Sequence, residues 1–164
     1  MIGGVDPSTR LPEVRLADPA DGGVVGRLLF DFNTEFETPT PSAEQFADRF
    51  TVLLARGDVL VLLAEDDAGT ATGFAYLTLR PTPYGDGPLA QLEELYVVPD
   101  LRDRGIGTVL LTRAVEEVRR RDAIEVHINV DEVDVDTRRF YERHGFVNIE
   151  PGTEYRMLCY LREL

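Results

Sequence analysis

The chain has 164 residues, with 17 basic and 30 acidic side chains and a formal net charge of −13. This length fits one domain with a single core. The hydrophobic and charged fractions, 43% and 29%, are those of a folded protein rather than a disordered one. The acidic balance disfavours a nucleic acid partner, because phosphate binding needs a basic surface, and it favours a cationic small molecule.

The single cysteine, Cys159, excludes an internal disulfide and a cysteine-based zinc site. With only two histidines, His127 and His144, we expect no metal. The N-terminus lacks the pattern of a signal peptide, and no apolar run approaches the ~18 residues of a membrane span. We therefore expect a cytoplasmic protein with no membrane partner, built as a flexible lead-in over residues 1–12 and one domain over 13–164.

The first half of the chain predicts a strand, two helices and a hairpin. Asp18 and Pro19 open a helix with an apolar stripe, and Ser42 and Gln45 form a capping box that starts the second helix. The predicted elements are a strand over 14–17, a helix from 18 to the break at 38–41, a helix over 42–56, and strands over 59–65 and 73–79.

The second half predicts four more strands and two helices. These are strands over 89–98, 124–130, 146–149 and 155–161 and helices over 105–121 and 137–144, with a loop rich in Gly and Pro over 81–88. A meander followed by a strand–helix–strand crossover predicts an α/β protein with a mixed central sheet and flanking helices.

The segment between the strand over 89–98 and the helix over 105–121 predicts an anion-binding loop. Arg102 and Arg104 precede Gly105 and Gly107, which open the helix. Free N–H groups at a helix start, glycines without Cβ, and nearby guanidinium groups suit a pyrophosphate. The dinucleotide fingerprint is excluded, because Leu110 stands where its third glycine would be. The alternative is that the glycines only permit close packing of the helix on the strand.

The run Arg102-Asp-Arg-Gly105-Ile-Gly107 resembles the acetyl-CoA motif of the GNAT superfamily of N-acetyltransferases, [Gln/Arg]-x-x-Gly-x-[Gly/Ala]. The segment from Asp134 to Phe146 resembles the second motif of that family, with Asp134 in place of the usual Asn and a Thr in place of the usual Ala. The resemblance implies the GNAT fold, acetyl-CoA as co-substrate without a metal, and direct acetyl transfer to a small-molecule amine. Homodimers are usual in the family, so a homodimer is one option.

The resemblance also implies a set of cofactor contacts. Backbone amides of the strand over 89–98 would pair with the pantetheine arm and polarise the thioester carbonyl. Amides of the loop that follows this strand would hold the pyrophosphate. The implied cofactor-binding residues are Leu95, Tyr96, Val97, Val98, Arg102, Asp103, Arg104, Gly105, Ile106, Gly107, Thr108, Asn129, Asp134 and Thr137.

Two residues are implied as catalytic. Tyr141 matches the tyrosine that protonates the departing CoA thiolate in the family, although it could instead anchor the core. Glu93 matches the base of the spermidine/spermine acetyltransferases, nine residues before the motif arginine. Because a carboxylate and an alkylammonium differ by about six pKa units, we expect Glu93 to bind the ammonium and pass its proton to water. Strict alternation along the strand places Glu94 on the opposite face as a structural acid.

The candidate substrate residues lie in two places. Phe32, Glu35 and Phe36 belong to the segment that walls the acceptor pocket in the family, and His127 lies on the strand that would border the thioester. The aromatic pair at helical spacing also suits plain core. A peptide or protein amine is the alternative acceptor, and a non-catalytic acyl-CoA-binding sensor or interaction module is the alternative class of protein.

Overall fold

The computed structural model describes residues 11–164, which form two compact units. The first unit ends at His127 and the second begins at Ile128. Of the predicted lead-in over 1–12, only the last two residues lie within the described part of the chain. The single domain over 13–164 stays a prediction.

Five strands and four α-helices are present in residues 11–164, in the order that the α/β prediction requires up to α4. No helix of this part is long and apolar enough to cross a membrane. The elements are β1 (Glu13–Leu16), α1 (Gly22–Glu35), α2 (Ala43–Leu53), β2 (Val59–Glu65), β3 (Ala71–Arg80), β4 (Leu89–Val97), α3 (Ile106–Arg119), β5 (Glu125–Ile128) and α4 (Val135–Arg143).

The strands form one sheet in the order β1-β2-β3-β4-β5, in which the pairs β1–β2, β2–β3 and β3–β4 are antiparallel. One face carries Phe74 and Tyr96, which pack with α1 and α2 in a buried core. The opposite face carries Gly73, where an added Cβ would come within 3.1 Å of Leu110 on α3. The sheet therefore separates an α1–α2 face from an α3 face.

The start of α2 matches its sequence signature. The Ser42 hydroxyl accepts from the Gln45 amide at 3.2 Å, and the Gln45 side chain accepts from the Ser42 amide at 3.0 Å. The capping box is therefore confirmed. The helix ends at Leu53 rather than at Arg56, because the amides of Ala55 and Arg56 bond to carbonyls three residues back instead of four.

The two strands predicted over 146–149 and 155–161 are wrong. Within residues 11–164 these segments join no sheet, and the hydrogen bond from Met157 N to Asn148 O is an isolated one. Their apolar side chains are largely exposed, with Leu158 at 69% and Tyr160 at 89%. An alternating pattern becomes a strand only where a neighbour completes the ladder and covers one face. Similarly, β5 ends at Ile128, which leaves Asn129 outside the strand.

Helices α1 and α2 approach closely at two glycines one turn apart. A Cβ on Gly26 would lie 2.5 Å from the Ala47 amide nitrogen, and one on Gly22 would lie 2.5 Å from the Thr51 hydroxyl oxygen. Gly23, on the exposed side of α1, has nothing within 4 Å of the same position. The two buried glycines therefore set the distance between the helices.

We expect Gly26→Ala to push α1 away from α2 and lower the free energy of unfolding by about 1–3 kcal/mol, as overpacking does. Gly23→Ala is the matched control and should raise it by roughly 0.5–1 kcal/mol, because alanine favours the helix. Urea unfolding of both variants measures the difference. Equal effects from the two substitutions would contradict this packing.

Candidate active site

The middle of β4 contains a β-bulge. Leu92 pairs with Leu77, and Glu94 pairs with Tyr76, the residue directly before Leu77. Glu93 is therefore an extra residue of β4 that lies opposite no residue of β3 in the backbone register. A bulge interrupts the alternation of side chains, so residues before and after it no longer follow one pattern.

The bulge brings the side chains of Glu93 and Glu94 to the same face. Glu94 shares the face of its partner Tyr76, because directly opposed residues of a sheet point the same way. Thr78 lies two residues from Tyr76 on that face, and its hydroxyl donates to the Glu93 carboxylate at 2.5 Å. The prediction that the two acids face opposite sides is therefore wrong, and both lie on the α1–α2 face.

The surroundings of Glu94 favour its protonated form. Burial, with a smaller contribution from the neighbouring Glu93, raises the pKa of Glu94 to about 7. Burial is also the main cause of the raised pKa of Tyr76, to which both glutamates add. Near neutral pH Glu94 therefore retains a proton part of the time, and a cation placed beside it could take the place of that proton.

The backbone amides of β4 point to two different edges. The amide of Val98 donates to Thr72 O on β3 at 3.0 Å, so its prediction as a free amide is wrong. Because amide directions alternate along a strand, Tyr96 also faces β3, whereas Leu95 and Val97 face away from it. Two of the four predicted amides therefore lie on the side of β4 away from β3, where β5 is the neighbouring strand and where a pantetheine arm could bind.

The loop before α3 fits a pyrophosphate. Asp103 and Gly105 have positive φ values of 60° and 82°, which turn the chain sharply into the helix. Gly105 is the N-cap and provides no side-chain cap to the first amides of α3. Uncapped amides at the positive end of a helix, next to the exposed Arg104, suit the phosphates of acetyl-CoA.

Arg102 lies against protein acceptors. Its two terminal nitrogens donate to the Glu35 carboxylate at 2.6 and 2.7 Å, and Nε donates to Val97 O at 3.0 Å. The hydrogen bond with Glu35 is the main cause of the raised pKa of Arg102. The negative charge of Glu35, a predicted substrate residue, is thus compensated.

The aromatic residues at the end of α1 form a continuous row. Phe32 lies with its ring 5.2 Å from the ring of Phe36 and 5.2 Å from the ring of Tyr96. Tyr96 is buried, whereas Phe36 is 59% exposed. Phe36 therefore presents an apolar surface to solvent, and Phe32 connects it to β4.

His127 is held by two partners. Arg80 Nη2 lies 3.1 Å from Nδ1, and Glu125 lies 2.7 Å from Nε2. Because a guanidinium only donates, Nδ1 is the acceptor and Nε2 carries the proton. These residues line a cavity of about 490 Å³ with the loop after β3. The role of His127 in binding substrate stays a prediction.

Three further predicted residues lie in the second unit. The Asp134 side chain caps α4 by accepting from the Thr137 amide at 3.2 Å. Tyr141 on α4 is buried, with its ring in edge contact with Phe140 and Phe146. The predicted cofactor contacts of Asp134 and Thr137 and the catalytic role of Tyr141 stay predictions.

Sequence analysis missed Tyr76 and Thr78 and treated Glu94 as structural. A signal for the first two was present, since Tyr76, Thr78 and Arg80 alternate with apolar residues along β3. Two adjacent acids in an apolar strand were a signal for the bulge as well, because only an interrupted alternation keeps both out of the core.

The raised pKa of Glu94 predicts how stability changes with pH. The usual pKa of a glutamate is 4.5, so as pH rises from that value the unfolded chain loses the Glu94 proton before the folded protein does. The free energy of unfolding of the wild type should therefore fall, relative to that of Glu94→Gln, as pH rises from 4.5 to about 7. Above that pH it should stay at the lower value. Glu93→Gln should make the loss shallower, because it removes a repelling charge. Urea midpoints across this pH range measure the effect, and parallel profiles for the wild type and Glu94→Gln would contradict it.

Comparison with known proteins identifies the family. Residues 24–146 match the model of the Acetyltransferase (GNAT) family. Glucosamine 6-phosphate N-acetyltransferase 1 of Oryza sativa subsp. japonica is 34% identical over 155 residues, covering 92% of this chain and 89% of that protein. Aminoglycoside N(6')-acetyltransferase type 1 of Klebsiella aerogenes is 41% identical over 71 residues, which are 41% of this chain and 44% of that protein.

A solved structure gives the same result. The crystal structure of an acetyltransferase from Arthrobacter sp. FB24 has 46% sequence identity and a TM-score of 0.87, and the match covers 94% of this chain and 97% of that one. The GNAT fold and the prediction of an N-acetyltransferase are thereby confirmed. The chain belongs to the GNAT family of acetyltransferases.

Proposed function

We propose that this protein transfers the acetyl group of acetyl-CoA to a primary amine of a small cationic molecule, directly and without a covalent acetyl-enzyme. The observation that supports this most is the β4 bulge, which brings Glu93 and Glu94 to one face of the sheet. A half-buried carboxyl group with a pKa of about 7, on the same face as a second carboxyl group, is suited to an ammonium group.

On the cofactor side, acetyl-CoA supplies the activated thioester. We assign the pantetheine arm to the amides of Leu95 and Val97, which face away from β3. We assign the pyrophosphate to the uncapped amides of residues 103–108, together with Arg104. A backbone amide aimed at the thioester carbonyl would stabilise the negative charge that develops there during attack.

On the acceptor side, Glu93 receives the ammonium group, because it is the exposed member of the pair. The amine must lose a proton before its nitrogen bonds to the acetyl carbon. With its pKa near 7, Glu94 lies only about three units below an alkylammonium, instead of about six for an ordinary carboxyl. We therefore propose that the proton passes from the ammonium through water to this pair.

The leaving group needs a proton as the carbon–sulfur bond breaks. We propose that the Tyr141 hydroxyl donates it to the CoA thiolate, as the family motif implies. A phenol is protonated at neutral pH and can act as a general acid. The edge contacts of the ring with Phe140 and Phe146 would hold the hydroxyl in one orientation.

The names of two relatives favour a small molecule as acceptor. The rice relative is named for glucosamine 6-phosphate and the Klebsiella relative for aminoglycosides. A peptide amine is the alternative acceptor, and the test below includes one. The homodimer and the cytoplasmic location stay predictions.

The test measures thiol release from acetyl-CoA with monoamines, diamines, aminosugars and a peptide. We expect turnover with small amines, and Glu93→Gln should lower kcat/KM about 10²-fold or more for dications, with smaller losses for neutral and anionic acceptors. Gly107→Glu in the cofactor loop is the control, since it should abolish acetyl-CoA binding and turnover with every acceptor alike. Preference for an anionic acceptor, or for the peptide, would contradict the proposed substrate class.

The role of Tyr141 has its own test. Tyr141→Phe keeps the ring and its packing but removes the hydroxyl, so kcat should fall by about 10²–10⁴-fold while the acetyl-CoA dissociation constant changes little. Stopped-flow single turnovers measure the chemical step. An unchanged rate of that step would assign Tyr141 to packing alone.

A further inference from the structure

Arg102 and Glu35 form a two-point ion pair between segments that are 67 residues apart in the chain. The paired geometry fixes the plane of the guanidinium group. Their side chains remain 38% and 29% exposed, and ion pairs with that much solvent contact add little to folding stability. The importance of the pair therefore lies in what each end holds.

The Arg102 end holds the edge of β4. Its Nε donates to Val97 O, and its guanidinium carbon lies 5.7 Å from the centre of the Tyr96 ring. The carbonyl and the amide of one residue point to the same side of a strand, so both groups of Val97 face away from β3. Arg102 thus fixes the orientation of Val97 on the edge that we assign to acetyl-CoA.

The Glu35 end holds the end of α1. Glu35 is the last residue of this helix, and the exposed Phe36 follows it. Phe36 contacts Phe32, which contacts Tyr96. A displacement of Glu35 would therefore move the aromatic row of Phe36, Phe32 and Tyr96, in which we predict that Phe32 and Phe36 contact the acceptor.

We propose that Glu35 is a positioning residue that, through Arg102, couples acetyl-CoA binding at the Val97 edge to acceptor binding at the Phe32–Phe36 row. This inference rests on the proposed function. With the pair intact, a ligand that orders one end also orders the other end through the ion pair, so each ligand should bind more tightly when the other is present. Without the pair, the end of α1 and the β4 edge move independently.

The competing role for Arg102 is that of a direct phosphate ligand, which Glu35 would hold back. The two roles predict opposite effects of Glu35→Gln. If Arg102 binds a phosphate directly, removal of the Glu35 charge would release its guanidinium group and tighten acetyl-CoA binding. Loss of a positioning contact would leave the Val97 edge less ordered and weaken the binding.

The experiment compares Glu35→Gln with Glu37→Gln, a neighbouring acid in the loop after α1. Calorimetry measures acetyl-CoA affinity, and initial rates with the best amine of the panel give KM and kcat. We expect Glu35→Gln to weaken acetyl-CoA roughly threefold to tenfold and to raise the acceptor KM by a similar factor, with kcat nearly unchanged, and Glu37→Gln to do neither. Thermal melts confirm that both variants are folded.

A double variant tests whether the pair acts as a unit. If it does, Glu35→Gln combined with Arg102→Gln should bind acetyl-CoA no more weakly than Arg102→Gln alone. Additive losses, tighter binding by Glu35→Gln, or equal behaviour of the Glu35 and Glu37 variants would each overturn the proposal. A wild type that binds acetyl-CoA but acetylates no amine would instead overturn the proposed function, and the acetyl-CoA affinities would still decide the role of Glu35.

Discussion

The candidate site depends on the single extra residue in β4. Leu92 must face the α3 side, and Tyr96 must face the α1–α2 core, where it is buried. Strict alternation would place these two residues, four apart, on the same face. The bulge at Glu93 resolves this conflict, because it reverses the alternation between them. It also removes Glu94 from the α3 face, on which Leu92 is buried.

The same insertion explains the electrostatics. Two adjacent residues of a regular strand would point apart, and neither carboxyl would influence the other strongly. On the bulge they share a face with Tyr76 and Thr78 of the neighbouring strand β3. Glu94 is therefore half-buried beside a second acid. A site of this kind holds a proton or a cation more readily than it holds two bare charges. The β-bulge is therefore the structural reason why Glu94 lies half-buried beside a second acid and has a raised pKa.

The sequence was sufficient for what is local. The capping box of α2 and the Gly105 start of α3 depend on residues within a few positions, and both were predicted. The partner of the Val98 amide and the absence of C-terminal strands depend on which segments pair across the sheet. Local periodicity does not contain that information. The bulge lies between these cases, since adjacent acids indicate a conflict without saying how the chain resolves it.

Charge selection follows from which acids keep their charge available. The sequence pointed to Glu35 together with Glu93, but Glu35 has a guanidinium partner at both of its oxygens and contributes little net field. Within residues 11–164, Glu93 accepts a hydrogen bond from the neutral Thr78 hydroxyl and has no cationic partner. Glu94 is half-buried, and burial raises its pKa to about 7. Among these three acids, the proposed attraction for an ammonium would therefore come from the two on the bulge, whereas the charge of Glu35 is paired with Arg102. We therefore propose different roles for these acids: Glu93 and Glu94 bind the ammonium group, and Glu35 positions Arg102.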